Sequence, residues 1–180
     1  MLQIVIPEKE YFNSSTGEFY TAKRVQLCLE HSLVSLSKWE SKWKKPFLVK
    51  DTKTIEETID YIRCMTITQN VPDDVYYRID SDNIKKIQEY IDDPMSATWF
   101  TDIDKKGRSK EVITSELIYF WMISYNIPFE CQKWHLNRLL TLIKVCDIKN
   151  NPPKKMSKSE MLERQRLLNA QRKASLNTKG

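Results

Sequence analysis

The chain has 180 residues, of which 41% are hydrophobic and 29% charged, and its formal net charge is +5 at pH 7. This composition is typical of a soluble protein, and the length allows one globular domain with a substantial core. No apolar stretch reaches the ~20 residues that span a bilayer, and no basic-then-apolar leader begins the chain. We therefore expect a protein without membrane contact that stays in the cytoplasm where it is made.

The cysteines predict free thiols rather than a disulfide framework. They are widely spaced, with no CxxC pair, at Cys28, Cys64, Cys131 and Cys146. A chain without an export signal folds in a reducing compartment, where such cysteines stay reduced. We expect most of them to lie in the core.

Residues 1–31 predict a β-hairpin. Two segments place apolar residues at every second position, which puts those residues on one face of a strand. The apolar positions are Leu2, Ile4, Ile6, Val25, Leu27 and Leu29. A polar loop at 13–17 separates the two segments. Because two strands alone are only marginally stable in water, we expect helices to cover their apolar face.

The next segments predict short helices with recognisable ends. Ser32 to Trp43 is an amphipathic stretch closed by Pro46. Thr54 and Glu57 form a capping-box pattern, in which each side chain satisfies a backbone amide at the start of a helix. The apolar residues of that second helix fall on one face at Ile55, Ile59 and Ile62.

Two further helices are predicted before residue 95. Pro72 suits the first turn of a short helix. Ser81 or Asp82 is positioned to cap a longer one, which Pro94 ends. The apolar residues of the longer helix line one side at Ile84, Ile87 and Ile91.

The most apolar part of the chain follows a charged loop at 102–110. Thr114 or Ser115 caps a helix with so few polar positions that it is either central in the core or shared between the core and a partner. Pro128 ends this pattern, and a second long helix extends from about Phe129 to Cys146. We expect the two helices to pack as an antiparallel pair.

The end of the chain differs in charge from the rest. Residues 149–180 carry nine Lys and Arg against two Glu, a net charge of +7, which leaves −2 for residues 1–148. Pro152 and Pro153 mark the junction, since two consecutive prolines cannot continue a helix. A capping-box pattern, Ser157 to Glu160, then opens a polar helix that extends to about Arg172.

These patterns predict a mainly α protein with a small N-terminal β-hairpin, an α+β class. A single globular domain covers 1–148, with the hairpin at 1–31 and a helical body at 32–148. A basic and partly flexible tail with one helix covers 149–180.

The sequence contains no recognisable catalytic, cofactor or metal motif. His31 and His135 are far apart and fit no zinc spacing. Asp102 to Gly107 begins like a calcium loop, but Ile113 stands where a bidentate carboxylate is needed. With only three glycines, the chain has no glycine-rich phosphate loop. We expect a protein that is not an enzyme and binds no cofactor or metal.

Two features are candidates for binding. Trp39 and Trp43 lie four residues apart among lysines, which suits either a core helix or a docking ridge, because tryptophan is frequent in cores and at interface centres. The basic tail is either a solvated end or a segment that folds on an acidic partner or on nucleic acid.

Four runs of the sequence carry a resemblance to a known family. They are Leu33 to Trp43 (LVSLSKWESKW), Glu57 to Ile62 (ETIDYI), Trp134 to Ile143 (WHLNRLLTLI) and Pro152 to Ser157 (PPKKMS). They resemble small proteins encoded among the tail genes of long-tailed bacteriophages of Gram-positive hosts, which are regarded as tail assembly chaperones. The resemblance covers roughly residues 1–175.

The resemblance implies a mostly helical protein of the host cytoplasm that is absent from the finished particle. It would bind the long helical tape-measure protein and keep it soluble until tail-tube subunits polymerise around it. The implied partners are the tape-measure protein and the tail-tube protein, with self-association also open. No catalytic residue belongs to that role.

A chaperone for a long apolar helix needs an apolar groove on a charged, soluble body. We expect the helices over 114–146 to supply the apolar contact and the tail to supply the electrostatic one. The predicted contact residues are Trp121, Trp134, Leu139, Ile143, Lys154, Lys155, Arg164 and Arg166. Two alternatives remain open: a structural virion component, such as a head–tail connector or minor tail protein, and nucleic-acid binding through residues 149–180.

Overall fold

The computed structural model describes residues 1–15, 17–49, 52–98, 100, 111–151 and 158–176. They form an N-terminal β-hairpin followed by helices, which confirms the predicted α+β class. The chain divides into two compact units, residues 1–146 and residues 147–180.

The hairpin is one long two-stranded ribbon with a break in the middle. Its strands are β1 (Leu2–Ile6), β2 (Lys9–Asn13), β3 (Glu18–Ala22) and β4 (Val25–Leu29). Both antiparallel pairs share one register, with Leu2 opposite Leu29 and Lys9 opposite Ala22. The break falls at Pro7, which has no amide hydrogen to give to a ladder.

The predicted apolar face of the hairpin is confirmed in its inner half, β1 and β4. Ile6, Leu27 and Leu29 are fully buried, and Ile4 is nearly so. In the outer half, β2 and β3, Ala22 is buried and Tyr11 half-buried, whereas the other described side chains are exposed.

The helical part follows the predicted order with one change. Its α-helices are α1 (Leu33–Trp43), α2 (Ile55–Met65), α3 (Asp74–Tyr77), α4 (Ser81–Asp92), α5 (Ser115–Ser124), α6 (Leu136–Asn150) and α7 (Lys158–Leu176). A separate 3₁₀ helix covers Phe129–Lys133.

Local capping explains where these helices begin. The Thr54 hydroxyl accepts from the Glu57 amide, and the Glu57 carboxylate accepts from the Thr54 amide, so the predicted capping box is confirmed. The cap of α4 was predicted one or two residues too late. The Asp80 carboxylate accepts from the Asn83 amide at 2.7 Å, which makes Ser81 the first helical residue.

The prediction of an apolar, buried face on α2 is correct only toward the C-terminus of the helix. Ile62 is 2% exposed, whereas Ile55 in the first turn is 81% exposed. The residues that α2 buries around Ile62 are Asp60, Tyr61 and Met65. The core therefore covers the second half of this helix.

The predicted long helix from Phe129 to Cys146 is broken in two. Between the 3₁₀ helix and α6, His135 forms a β-bridge with Ser32. The Leu136 amide donates to the His31 carbonyl at 2.7 Å, so it cannot continue a helical ladder from the preceding turn. A tertiary hydrogen bond thus overrides the local helical pattern. The helix that packs most closely on α5 is α1, not α6 as predicted.

The first hydrophobic cluster lies between the inner half of the hairpin, α2, α3 and α4. Trp39 of α1 belongs to it, since its ring is 1% exposed and its Nε1 donates to the Glu57 carbonyl at 2.9 Å. Trp43 Nε1 donates to the Asp60 carboxylate at 2.8 Å. These two tryptophans therefore connect α1 to α2, and Trp39 has no surface left for a docking ridge.

Asp60 is a buried carboxylate at the centre of the α1–α2 contact. It accepts from Lys42 at 2.5 Å and from Arg63 at 3.1 Å, as well as from Trp43. Burial alone would raise its pKa, but the hydrogen bonds from Lys42 and Trp43 outweigh burial and lower the pKa of Asp60. It therefore stays ionised at neutral pH.

The second hydrophobic cluster lies between α1, α5 and α6. Leu33 and Leu36 of α1 are fully buried there. They meet Ile118 and Met122 of α5 and Leu136 of α6, none of which is exposed. One helix, α1, thus contributes side chains to both clusters.

The two histidines, far apart in sequence, lie side by side at the junction of the clusters. Their ring centroids are 5.1 Å apart, and both side chains are buried. His135 Nε2 lies 2.9 Å from the Tyr90 carbonyl, which can only accept, and its Nδ1 accepts from the Asn137 amide. These bonds require the neutral tautomer with the hydrogen on Nε2.

The surroundings of His31 hold it neutral. Its Nδ1 lies 2.6 Å from the Tyr61 hydroxyl. Burial, and next the neighbouring His135, lower the pKa of His31 from 6.5 to about 3. A proton on His31 would place an unsolvated charge between the two clusters, so acid must oppose folding.

We expect the free energy of unfolding to fall as the pH is lowered below 6.5. The unfolded chain binds a proton on His31 near pH 6.5, whereas the folded chain does so only near pH 3, so the slope approaches ~1.4 kcal/mol per pH unit between them. Urea unfolding from pH 7.5 to 5 measures this slope. The variant His31→Gln should flatten it, and an unchanged slope in that variant would show that other groups cause the acid sensitivity.

Candidate functional site

The most conspicuous exposed apolar surface of the first unit's helices lies on α5. The Thr114 hydroxyl caps the helix by accepting from the Leu117 amide, as the sequence predicts. The buried carboxylate of Glu40 on α1 accepts from the Ser115 amide at 2.7 Å and from the Phe47 amide at 2.8 Å. One side chain therefore fixes the start of α5 against α1 and the loop after it.

The two sides of α5 have different surroundings but the same apolar character. Ile118 and Met122 are fully buried in the second cluster. On the opposite side, Phe120 and Ile123 are each 60% exposed. A helix of a soluble protein normally turns polar residues to water, so these two large side chains are unusual.

The apolar surface continues beyond α5. Phe129 of the 3₁₀ helix is 52% exposed, and its ring centroid lies 6.4 Å from that of Tyr119. Helical geometry places Tyr119 beside Ile123, one turn away. Phe120, Ile123 and Phe129 together are named the α5 face.

Two acidic residues flank the α5 face, and the exposed Lys133 ends the same 3₁₀ helix. Glu116, one turn before Phe120, is exposed, and so is Glu130 next to Phe129. Hydrogen bonding to its own backbone amide, and next the Thr114 hydroxyl, lower the pKa of Glu116, so it is ionised at neutral pH. An apolar surface with a charged rim is the usual anatomy of a docking site.

The predicted apolar contact residues belong to the second cluster or pack against it, and none of them is part of the α5 face. Leu139 is fully buried and Ile143 is 6% exposed, both within the second cluster. Trp121 and Trp134 are half-buried against the same cluster, and the Arg138 guanidinium lies 4.3 Å from the centroid of the Trp134 ring. Contact of a partner with Leu139 or Ile143 would require the cluster to open.

The predicted electrostatic contacts are in the second unit. Lys154 and Lys155 lie outside the described residues. Arg164 is on α7, and only its backbone is described, whereas Arg166 on the same helix is exposed. Four apolar residues of α7, Met161, Leu162, Leu167 and Leu168, are exposed as well.

The sequence did not single out Phe120, Ile123 or Phe129. Its available signal was that α5 is apolar on every side, which leaves no polar face to mark the outside of the helix. Only the tertiary structure shows which side the second cluster covers.

An apolar cleft of about 360 Å³ lies between α2 and α4. Ile62, Ile84 and Ile87 line it, together with Phe47, and the Lys53 ammonium lies 4.5 Å from the centroid of the Phe47 ring. Ile62 and Ile87 form its floor and are almost completely buried. Ile84 is the most exposed of its apolar lining residues, at 38%, so the cleft presents less exposed apolar surface than the α5 face.

Metal ligands, apolar helices and thiols are the remaining features of the part of the chain that the structure describes. No cluster of three or more His, Cys, Asp or Glu there is arranged to hold a metal ion. No helix in that part combines the length and apolar character needed to cross a membrane. The four cysteines are free thiols, with Cys131 buried and the others half-buried.

Comparison with known proteins adds no relative. No protein-family model matches the sequence, and neither a curated protein nor a solved structure matches it.

We expect Glu40→Ala to destabilise the first unit by about 2–4 kcal/mol, because it leaves the buried Ser115 amide and the half-buried Phe47 amide without an acceptor. Urea unfolding at pH 7 measures this. The exposed Glu56→Ala on α2 is the control and should change stability by no more than about 0.5 kcal/mol. Equal effects of the two variants would refute the role of Glu40 in holding α5.

Proposed function

We propose that the chain is a phage tail assembly chaperone that binds the tape-measure protein through the α5 face and keeps it soluble during tail assembly. The observation that carries the proposal is the exposure of Phe120 and Ile123 on a helix whose opposite side is buried. The sequence resemblance supplies the biological setting, and the α5 face supplies a surface that suits it.

The chemistry of the α5 face suits an amphipathic helix. Phe120 and Ile123 are three residues apart on one side of α5, the spacing at which two packed helices interlock their side chains. A partner helix with its own apolar stripe would bury these two residues and Phe129. Basic residues beside that stripe would complement Glu116 and Glu130 at the rim.

The size of the α5 face suits reversible binding. A large aromatic side chain can bury about 150–250 Å². Since each of the three side chains of the α5 face is a little more than half exposed, the exposed area of the face is roughly 300 Å². Counted on both partners this is about 600 Å², roughly half of the ~1,200 Å² at the lower end of stable protein–protein interfaces. A chaperone must release its client when tube subunits polymerise, so a small contact repeated along a long client is appropriate.

Co-expression with the tape-measure protein of the same phage tests the proposal. We expect the wild-type chain to move the tape-measure protein into the soluble fraction and to co-purify with it. The double variant Phe120→Ser, Ile123→Ser should reduce the co-purified amount at least ~10-fold, because serine removes the apolar contact.

The matched control is Ile55→Ser, which removes an even more exposed isoleucine from α2. Both variants change only exposed side chains, so each should unfold within about 0.5 kcal/mol of the wild type. Equal co-purification by the wild type and the double variant would overturn the α5 face as the binding site. An insoluble tape-measure protein in the presence of the wild-type chain would overturn the chaperone function itself.

The alternative function is that of a structural virion component, which would remain in the finished particle. A chaperone is released before the particle is complete, so mass spectrometry of purified particles should detect the chain at far less than one copy per tail. A near-stoichiometric amount would favour a head–tail connector or minor tail protein.

A further inference from the structure

The outer half of the hairpin extends beyond the clusters as an arm, defined here as residues 8–23. Arg78 fixes its base: one guanidinium nitrogen donates to the Pro7 carbonyl at 2.8 Å and to the Lys23 carbonyl at 3.0 Å. The Arg78 side chain is 7% exposed and pairs with Asp74. A buried cation thus satisfies the carbonyls at the break in the ribbon and sets the direction of the arm.

Aromatic side chains cover both faces of the arm. Tyr11 and Tyr20 stack across the strands on one face, with ring centroids 5.5 Å apart. Phe12 and Phe19 pack on the other face, with centroids 5.0 Å apart. Phe12, Phe19 and Tyr20 are 58%, 75% and 55% exposed. A ribbon with large rings exposed on both faces cannot be covered by packing flat on one surface.

The edges of the ribbon are covered at its base but open along the arm. The outer edge of β4 is paired, since the Ile67 amide donates to the Cys28 carbonyl at 2.8 Å, and Asn83 donates to the Val5 carbonyl of β1. Within the described residues, by contrast, Glu18 to Thr21 have no backbone hydrogen bonds beyond those to β2.

The two edges of the arm differ in protection. Sheet edges are commonly guarded against pairing by charged residues and proline. The β2 edge has Pro7 before it and Lys9 and Glu10 within it. The β3 edge, with the sequence EFYTA, has a charge only at its first residue, Glu18. The β3 edge is therefore the one available for another strand.

We propose that the β3 edge pairs with the β3 edge of a second copy of this chain, antiparallel and centred on Tyr20. The two arms then form a four-stranded sheet with Tyr20 opposite its counterpart. On one face, the Tyr11–Tyr20 stack of each arm joins into a row of four rings. Cross-strand aromatic pairs of this kind stabilise sheets by up to about 1 kcal/mol each.

Charge favours the antiparallel arrangement. β3 begins with Glu18 and is followed directly by Lys23 and Arg24, both exposed. Antiparallel pairing about Tyr20 brings the acidic end of each β3 next to the basic end of the other. A parallel arrangement would instead place the two Glu18 carboxylates together, which is unfavourable.

The small area that this pairing buries predicts weak association. The exposed parts of Phe19 and Tyr20 and one new strand ladder bury well under the ~1,200 Å² of a stable interface. We expect a dimer that forms at micromolar or higher concentration. This association is independent of the α5 face, which lies on a different element.

Sedimentation of the full chain over a range of concentrations tests the pairing. The wild type should shift from monomer to dimer, and Tyr20→Lys and Tyr20→Glu should each weaken self-association at least ~10-fold, because each puts like charges across the two-fold axis. An equimolar mixture of the two variants should recover the dimer, since Lys then faces Glu. That recovery requires position 20 to meet itself.

Tyr11→Lys is the matched control, because it removes the same tyrosine stack from the β2 side without charging the β3 edge. It should retain dimerisation within ~3-fold of the wild type. A wild-type chain that stays monomeric up to ~1 mM would overturn the proposal, and so would a Lys–Glu mixture that stays monomeric. Unchanged circular dichroism and melting temperature would confirm that the variants fold, since the arm lies outside both clusters.

Discussion

The junction between the hairpin and the first helix, Cys28–Ser32, is the constraint on which the rest of the first unit depends. On one side, the Cys28 carbonyl accepts from the Ile67 amide and the Glu30 amide donates to the Met65 carbonyl. These two hydrogen bonds connect the end of α2 to the ribbon. On the other side the His31 carbonyl accepts from Leu136, which sets the start of α6. Both clusters are therefore assembled on five consecutive residues. Burial keeps His31 of this junction neutral, so the stability of the first unit depends on pH.

This arrangement explains why α5 leaves large apolar side chains exposed. The second cluster is closed by α1 on one side and α6 on the other, and the apolar residues that α5 buries fully in it are Ile118 and Met122, with Tyr119 and Trp121 only partly buried against it. Glu40 holds the start of α5 in place, so the helix cannot rotate to bury Phe120 and Ile123 without breaking the hydrogen bond from the Ser115 amide to Glu40. The α5 face is thus a consequence of how the cluster is closed. It provides the contact for a client helix in the function proposed above.

The features that the sequence predicted correctly are those that depend on residues close together in the chain. The strand alternation around Ile4 and Leu27, and the capping box of Thr54, depend on near neighbours and are present in the structure. The break before α6 was missed because a residue far away in sequence, His31, competes for the Leu136 amide. The orientation of α5 was missed because an all-apolar helix carries no signal for its outer side. Proximity of His31 to His135 is likewise a product of tertiary structure.

Hydrogen–deuterium exchange of the chain, alone and in complex with the tape-measure protein, tests the central claim most directly. Binding through the α5 face should slow exchange in the amides of α5 and the 3₁₀ helix, residues 115–133, and leave the α2 amides unchanged. Protection confined to other elements, with exchange in α5 the same in both states, would contradict the account.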